Sequence, residues 1–175
     1  MVHENGYSAE KSATMPRMLM ERNFQSIRRY ALTFSPSAGN LLFVGGTGLG
    51  KTFLSACIAR VVADRGFSVC YESASHLFAK LEKNRFSPDT QSRADAERFL
   101  SCDLLIIDDL GTEFPTTYTS SVFFDLLNTR LLNNKKTIIT AILAVVVIIY
   151  YDYKLLAIYC SMQSHYRKYR NIYIL

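Results

Sequence analysis

No C-x-x-C pair occurs among the four cysteines, Cys57, Cys70, Cys102 and Cys160, and no histidine stands near them at metal-ligand spacing. A cysteine-held metal module is thereby excluded, and a reduced, cytoplasmic chain is expected. An apolar h-region is missing from the mixed, polar stretch Met1 to Ser12, so no secretory signal is read there. The uncharged stretch rich in Ile and Val, Thr137 to Tyr151, falls short of the roughly twenty residues a spanning helix needs. No membrane segment is expected, and no internal repeat is found. An excess of one charge sign is also lacking over most of the chain. Of the formal net charge of +5, the part carried by Lys154, Arg167, Lys168 and Arg170 against Asp152 lies beyond Thr140. The body is nearly balanced, and net charge does not argue for nucleic-acid binding.

Glycine and proline are absent from the last part of the sequence: the final glycine is Gly111 and the final proline Pro115. Neither helix caps nor turn residues punctuate the chain after Thr140, yet seven of the 11 tyrosines fall between Tyr150 and Tyr173. Residues 141–175 therefore read as an apolar, tyrosine-rich tail of a character different from the rest. A frameshifted or truncated reading frame is the explanation expected for this change. Residues 1–15 show no periodicity and are expected to form a disordered lead. Residues 16–140 form the body, and the total of 175 residues suits one domain.

Within that body, strands and helices alternate. From Pro16, the residues Met20, Phe24, Ile27, Ala31 and Phe34 recur at helical spacing, and Ser35-Pro36 ends the helix. Leu41 to Val44 is a short apolar run of the kind a buried parallel strand shows. Leu54, Ile58, Val61 and Val62 line the next helix, closed by Gly66. Ser68 to Tyr71 predicts a second strand, and Leu77, Lys80, Leu81 and Asn84 mark a helix. A polar loop over Arg85 to Arg93 and a short helix to Leu100 come next. Leu104 to Ile107 is a third strand, Val122, Phe123, Leu126, Leu127 and Leu131 place a helix between Thr116 and Asn134, and Thr137 to Thr140 begins a fourth strand. Such alternation implies an α/β fold, a parallel sheet covered by helices on both faces.

Gly45-Gly46-Thr47-Gly48-Leu49-Gly50-Lys51-Thr52 matches G-x-x-x-x-G-K-[ST] between an apolar strand and a helix. Glycines let the backbone N–H groups of such a loop face phosphate oxygens, and the helix N-terminus adds partial positive charge. Lys51 is expected to reach the β- and γ-phosphates of ATP and Thr52 to place its hydroxyl on Mg²⁺. Asp108, at the end of the third strand, is where a second Mg²⁺-holding group belongs. Asp109 comes next, on the opposite side of the chain, as a candidate to orient or deprotonate the attacking water. Thr112 and Glu113 are candidates to touch nucleotide or a neighbouring subunit, although a helix-start role for Thr112 or Thr116 is as well supported. Arg130 reads as a surface cation near a helix C-terminus. The cluster Lys80, Lys83 and Arg85 reads as a solvated face sooner than a DNA contact, and Cys57 as core packing.

Three segments carry a resemblance: Asn40 to Thr52, Leu104 to Phe114 (LLIIDDLGTEF), and Asn128-Thr-Arg-Leu-Leu132 with Lys136-Thr-Ile-Ile-Thr140. Together they resemble the AAA+ ATPase module, a P-loop NTPase of RecA-like type, of DnaC-type replicative helicase loaders. The related IstB-type transposition helper ATPases share both Walker motifs. The similarity spans Pro16 to Thr140 and implies an ATP-dependent switch in DNA replication that assembles with like subunits. It also implies single-stranded DNA and the replicative helicase as partners. Lys51, Thr52, Asp108 and Asp109 carry over residue by residue. Two departures stand out. The family's N-terminal helicase-binding domain has no counterpart in the short lead, and after Thr-Ile-Ile, where the family continues into Ser-Thr-Asn whose Asn is the sensor, this chain reads Thr140-Ala-Ile-Leu and lacks that Asn. Arg167 and Arg170 do not map onto the arginine finger. The resemblance therefore implies an incomplete C-terminal part and impaired hydrolysis. A fifth strand is expected to be unbuilt.

Overall fold

A computed structural model describes residues 9–111, 116–142 and 172–174 of the chain. Helix α1 (Ala9–Leu32) leads into β1 (Leu41–Val44), followed by α2 (Lys51–Asp64), β2 (Val69–Ser73), α3 (Ala74–Phe86) and α4 (Thr90–Ser101). Then come β3 (Leu104–Leu110), α5 (Thr117–Leu132), β4 (Lys136–Ala141) and β5 (Ile172–Ile174). The strands form one parallel sheet in the order β2-β3-β4-β1-β5. This is the α/β arrangement that the alternation of apolar runs predicts. The first helix starts upstream of Pro16, at Ala9.

β3 shows why its sequence is apolar without interruption. Leu104 and Ile106 point to one face, where they meet Ile27, Ala31 and Phe34 from α1 and its exit, and Ile58 and Val62 of α2. Leu105 and Ile107 point to the other face, against Leu77, Phe78, Phe99, Phe123 and Leu126 of α3, α4 and α5. A strand covered on both faces has no polar position to spare, and each such buried side chain contributes about 1.5–3 kcal/mol. Only the C-terminal half of the α1 stripe joins the core; Met20 and Phe24 are exposed. The end of α1 is tied down by Arg65, whose Nη1 donates to the carbonyls of Ala31 and Phe34 at 3.2 and 2.9 Å.

Three expectations are corrected. The fifth strand is built: Leu42, Phe43 and Val44 pair with Ile172, Tyr173 and Ile174, and β-branched and aromatic residues suit that role. The remainder of the tail, 143–171 and 175, lies outside the described residues. Cys57 is exposed, because the buried stripe of α2 runs through Lys51, Ser55, Ile58 and Val62 and bypasses it.

Arg130 is the third correction. It is 0 % exposed, and its guanidinium is spent on the main chain. Nη1 donates to Phe99 O at 2.6 Å and Cys102 O at 3.2 Å, Nη2 to Lys136 O at 2.5 Å, and Nε to Thr137 Oγ1 at 3.0 Å. The residue stitches the end of α4 to the start of β4. Its position in the last turn of α5 is what suggests a surface cation from sequence, but the planar fork of donors is what the buried carbonyls require.

Candidate functional site

The carboxyl ends of β2, β3, β4 and β1 lie side by side in the sheet, the edge where open parallel sheets receive ligands. Gly45 leaves β1 with its N–H still donating to Ala141 O of β4 at 3.3 Å. The loop then turns through Gly48 and Gly50, with φ of 78° and 85°, a region in which a Cβ costs roughly 1–2 kcal/mol. A methyl built on either meets nothing within 4 Å, so the demand for glycine is conformational. Gly46, Thr47 and Leu49 complete the exposed rim, and Lys51 begins α2.

The start of α2 differs from the other helix starts in the body. α3, α4 and α5 carry side-chain caps from Ser73, Asp89 and Thr116; Thr116 thus takes the helix-start role. α2 has Gly50 at its N-cap, no side-chain cap and no acidic residue in its first turn. Its leading N–H groups and partial positive charge face the loop, which is the arrangement that receives an anion such as phosphate. Lys51 is buried, with Nζ donating to the carbonyls of Gly45 and Gly46 at 3.0 and 2.8 Å. Its ammonium is therefore held inside the same loop.

Asp108 is 6 % exposed and surrounded by hydroxyls. Its Oδ1 accepts from Thr52 Oγ1 at 3.3 Å and from Thr140 Oγ1 at 2.5 Å. Its Oδ2 accepts from the Tyr71 hydroxyl at 2.8 Å. Tyr71 also lies 3.0 Å from Ser55 Oγ, which in turn lies 2.9 Å from Thr52 O. Burial pushes the Tyr71 phenol up to about 12, and the Asp108 carboxylate that accepts its proton adds to the rise. The phenol stays a donor throughout the physiological range.

Asp109 is exposed while Asp108 is buried. The strand register shifts between Ile107 and Leu110, and Asp109 has φ 54°. A bulge at this point turns successive side chains in directions that a regular pleat does not allow, and aspartate tolerates the left-handed region better than most residues. The displaced Asp109 N–H is taken up by Thr140 Oγ1 at 2.9 Å.

The residues expected from sequence thus assemble around one loop: Gly45 to Thr52 from β1 and α2, and Asp108 with Asp109 from β3. Thr112 and Glu113 lie outside the described residues, as do Arg167 and Arg170. Tyr71, Ser55 and Thr140 escape a reading of the sequence. Tyr71 lies in the middle of β2, Thr140 next to the end of β4 and Ser55 one turn into α2, and sheet order is the signal that could find them.

Thr52 and Asp108 offer hydroxyl and carboxylate oxygens beside the loop, a hard-oxygen pair of the kind Mg²⁺ takes together with water. Among the described residues no group of three or more His, Cys, Asp or Glu gathers to hold a metal ion. The pair consequently fits an ion that arrives with further ligands of its own. Lys80 pairs with Glu72, and Lys83 with Asp89 at 2.7 Å, in accord with a solvated face. Among the described residues no helix is long and apolar enough to cross a membrane.

Comparison with solved structures matches this fold to replication proteins. The crystal structure of the DnaC helicase loader superposes with a TM-score of 0.73 at 21 % identity, covering 90 % of both chains. DnaI gives 0.60 at 26 %, over 70 % of this chain and 65 % of that one. The replication initiator DnaA bound to AMPPCP and single-stranded DNA gives 0.58 at 25 %, over 66 % of this chain and 36 % of that one. The present chain therefore spans little more than a third of that DnaA. The family model described as IstB-like ATP binding protein matches residues 12–147, and with the phosphate-type loop and its facing aspartate in place, the chain belongs to this family of ATP-binding proteins.

Proposed function

We propose that the chain is a Mg²⁺-dependent ATP switch of the helicase-loader type, acting in DNA replication and turning ATP over slowly. The observation that carries this reading is the glycine-wrapped, uncapped start of α2 set beside Asp108. Gly45, Gly46, Thr47, Gly48, Leu49 and Gly50 would cradle the phosphates through the backbone, and Lys51 would balance the β- and γ-phosphate charge. Thr52 and Asp108 would hold Mg²⁺, whose chemistry is to neutralise charge on the phosphates. Asp109, exposed beside them, would orient or deprotonate water.

Slow turnover rests on the residues after Thr140. Ala141 and Ile142 stand where the loader family places polar sensor residues, and neither side chain can polarise water. A missing transition-state arginine lowers turnover by about 10³ to 10⁵, whereas binding depends mainly on the loop. Single-stranded DNA as a partner is supported by a second feature. Phe86 is 68 % exposed and lies beside Tyr118, with 5.7 Å between ring centres and the rings tilted by 44°. The Arg85 guanidinium lies 5.8 and 5.6 Å from the two rings. An exposed aromatic beside an arginine is the kind of platform on which an unpaired base stacks. A replicative helicase and like subunits complete the proposed partner set.

The IstB-type transposition helper is the second reading, favoured by the family model itself; it differs in binding a transposase in place of a helicase. Titrating the full chain with ATP and with ADP, in Mg²⁺ and in EDTA, tests the core proposal. Mg²⁺-enhanced ATP binding that Lys51→Ala abolishes is expected, with little turnover. Absence of binding overturns the proposal, and rapid multiple turnover by the isolated chain overturns its second half. Co-purification with purified helicase or transposase decides the partner.

A further inference from the structure

We infer that Tyr71 is a positioning residue for Asp108: its hydroxyl pins one carboxylate oxygen so that the other stays aimed at Thr52. The inference rests on the nucleotide and Mg²⁺ reading above and concerns how that site is held. A carboxylate turns about its last torsion in a broad, roughly two-fold well, so a buried aspartate with one oxygen unheld has no fixed aim. Asp108 has both oxygens assigned. Oδ1 accepts from Thr52 and Thr140, and Oδ2 from Tyr71 at 2.8 Å.

Counting protons fixes the direction of the bond to Asp108. A carboxylate only accepts, so the single Tyr71 proton is committed to Oδ2. Toward Ser55, at 3.0 Å, the Tyr71 oxygen is then left as acceptor. Ser55 is buried in the first turns of α2, and its single proton is shared between the Tyr71 oxygen and Thr52 O, 2.9 Å away. A continuous chain of polar contacts therefore runs from Asp108 on β3, through Tyr71 on β2, to Ser55 and Thr52 on the helix that starts at the loop. The aim of the carboxylate is coupled to the helix that carries Thr52. The Tyr71 ring separately packs beside the core below the sheet, and phenylalanine preserves that contact while deleting the hydroxyl.

The test is the Mg²⁺ concentration giving half-maximal enhancement of ATP binding, measured by calorimetry on the full chain. Tyr71→Phe is expected to raise it about tenfold, the size of one hydrogen bond to a charged group, while ATP affinity in EDTA and the thermal midpoint stay close to wild type. An unshifted Mg²⁺ titration overturns the inference, and so does an equal loss of affinity in EDTA, which is what a packing role produces. Should Tyr71→Phe unfold, Ser55→Ala, which unties the far end of the chain, is expected to shift the same titration in the same direction, and no shift there overturns it. If the wild-type chain shows no Mg²⁺-enhanced ATP binding, the nucleotide reading and this inference fall together. If the wild type does and the variants match it, the inference alone falls.

Discussion

The Thr140 hydroxyl donates to Asp108 Oδ1 at 2.5 Å while accepting the backbone N–H of Asp109 at 2.9 Å. One hydroxyl thus serves both residues of the acidic pair, holding the side chain of the first and the main chain of the second. It does so from β4, the strand lying between β3 and the strand that feeds the phosphate-type loop.

Thr140→Val is nearly isosteric and removes this hydroxyl from a fully buried position. A part-buried N–H and a buried carboxylate oxygen both lose a partner, so the variant should lose about 2 kcal/mol of stability. Urea unfolding reads this as a lower midpoint with an unchanged slope. A midpoint equal to wild type would show that the bulge at Asp109 does not depend on Thr140.

Arg130→Met should destabilise the fold by roughly 3 kcal/mol, since the carbonyls of Phe99, Cys102 and Lys136 are left without their donor. Arg130→Lys should rescue little of this, because one ammonium cannot replace a planar fork reaching three carbonyls. Chemical denaturation of the three proteins gives the comparison. ATP affinity of the folded Met variant should be near wild type, and a specific loss of turnover with full stability would restore a functional role to this arginine.

Asp103 supplies a pH-dependent contribution with a definite sign. Hydrogen bonds from the Ser68 hydroxyl and N–H, and then the Lys135 ammonium, pull its carboxyl down to about 2. A carboxylate depressed in the folded state stabilises above its unfolded value, about 3.9, and that stabilisation disappears as pH falls through the folded value. Wild type should therefore exceed Asp103→Asn in stability above about pH 4, with the gap closing toward pH 2. The site is partly exposed, so screening keeps the gap below about 1 kcal/mol. Denaturation at a series of pH values checks it, and a gap that widens on acidification contradicts the assignment.

The sheet, the loop and the acidic pair are legible in the sequence because each rests on local pattern. Leu104 to Ile107 is apolar at every position because both faces are covered, and Gly48 and Gly50 occupy conformations other residues resist. Arg130, Cys57 and Tyr71 are not legible in the same way. Arg130 is buried because carbonyls from α4 and β4 converge on it, and nothing near it in sequence announces them. Cys57 sits beside the buried stripe of α2, and a one-residue step around a helix moves a side chain by about 100°. Tyr71 acquires its contact only because β2 lies next to β3. Strand order is a property of the assembled sheet.

The strand that launches the loop, β1, has no neighbour formed from nearby sequence. Its ladder partners are Ile138 to Ala141 on one side and Ile172 to Ile174 on the other. Both pairings close very long loops, so the entropy of closing them must be met before β1 gains any ladder bond. The loop from Gly45 to Thr52 can therefore take its shape only late in folding, when distant segments have arrived. A ligand that recognises this shape selects the completed sheet over every partly folded form. Its binding free energy then adds to the stability of the whole molecule, rising with ligand concentration above the dissociation constant.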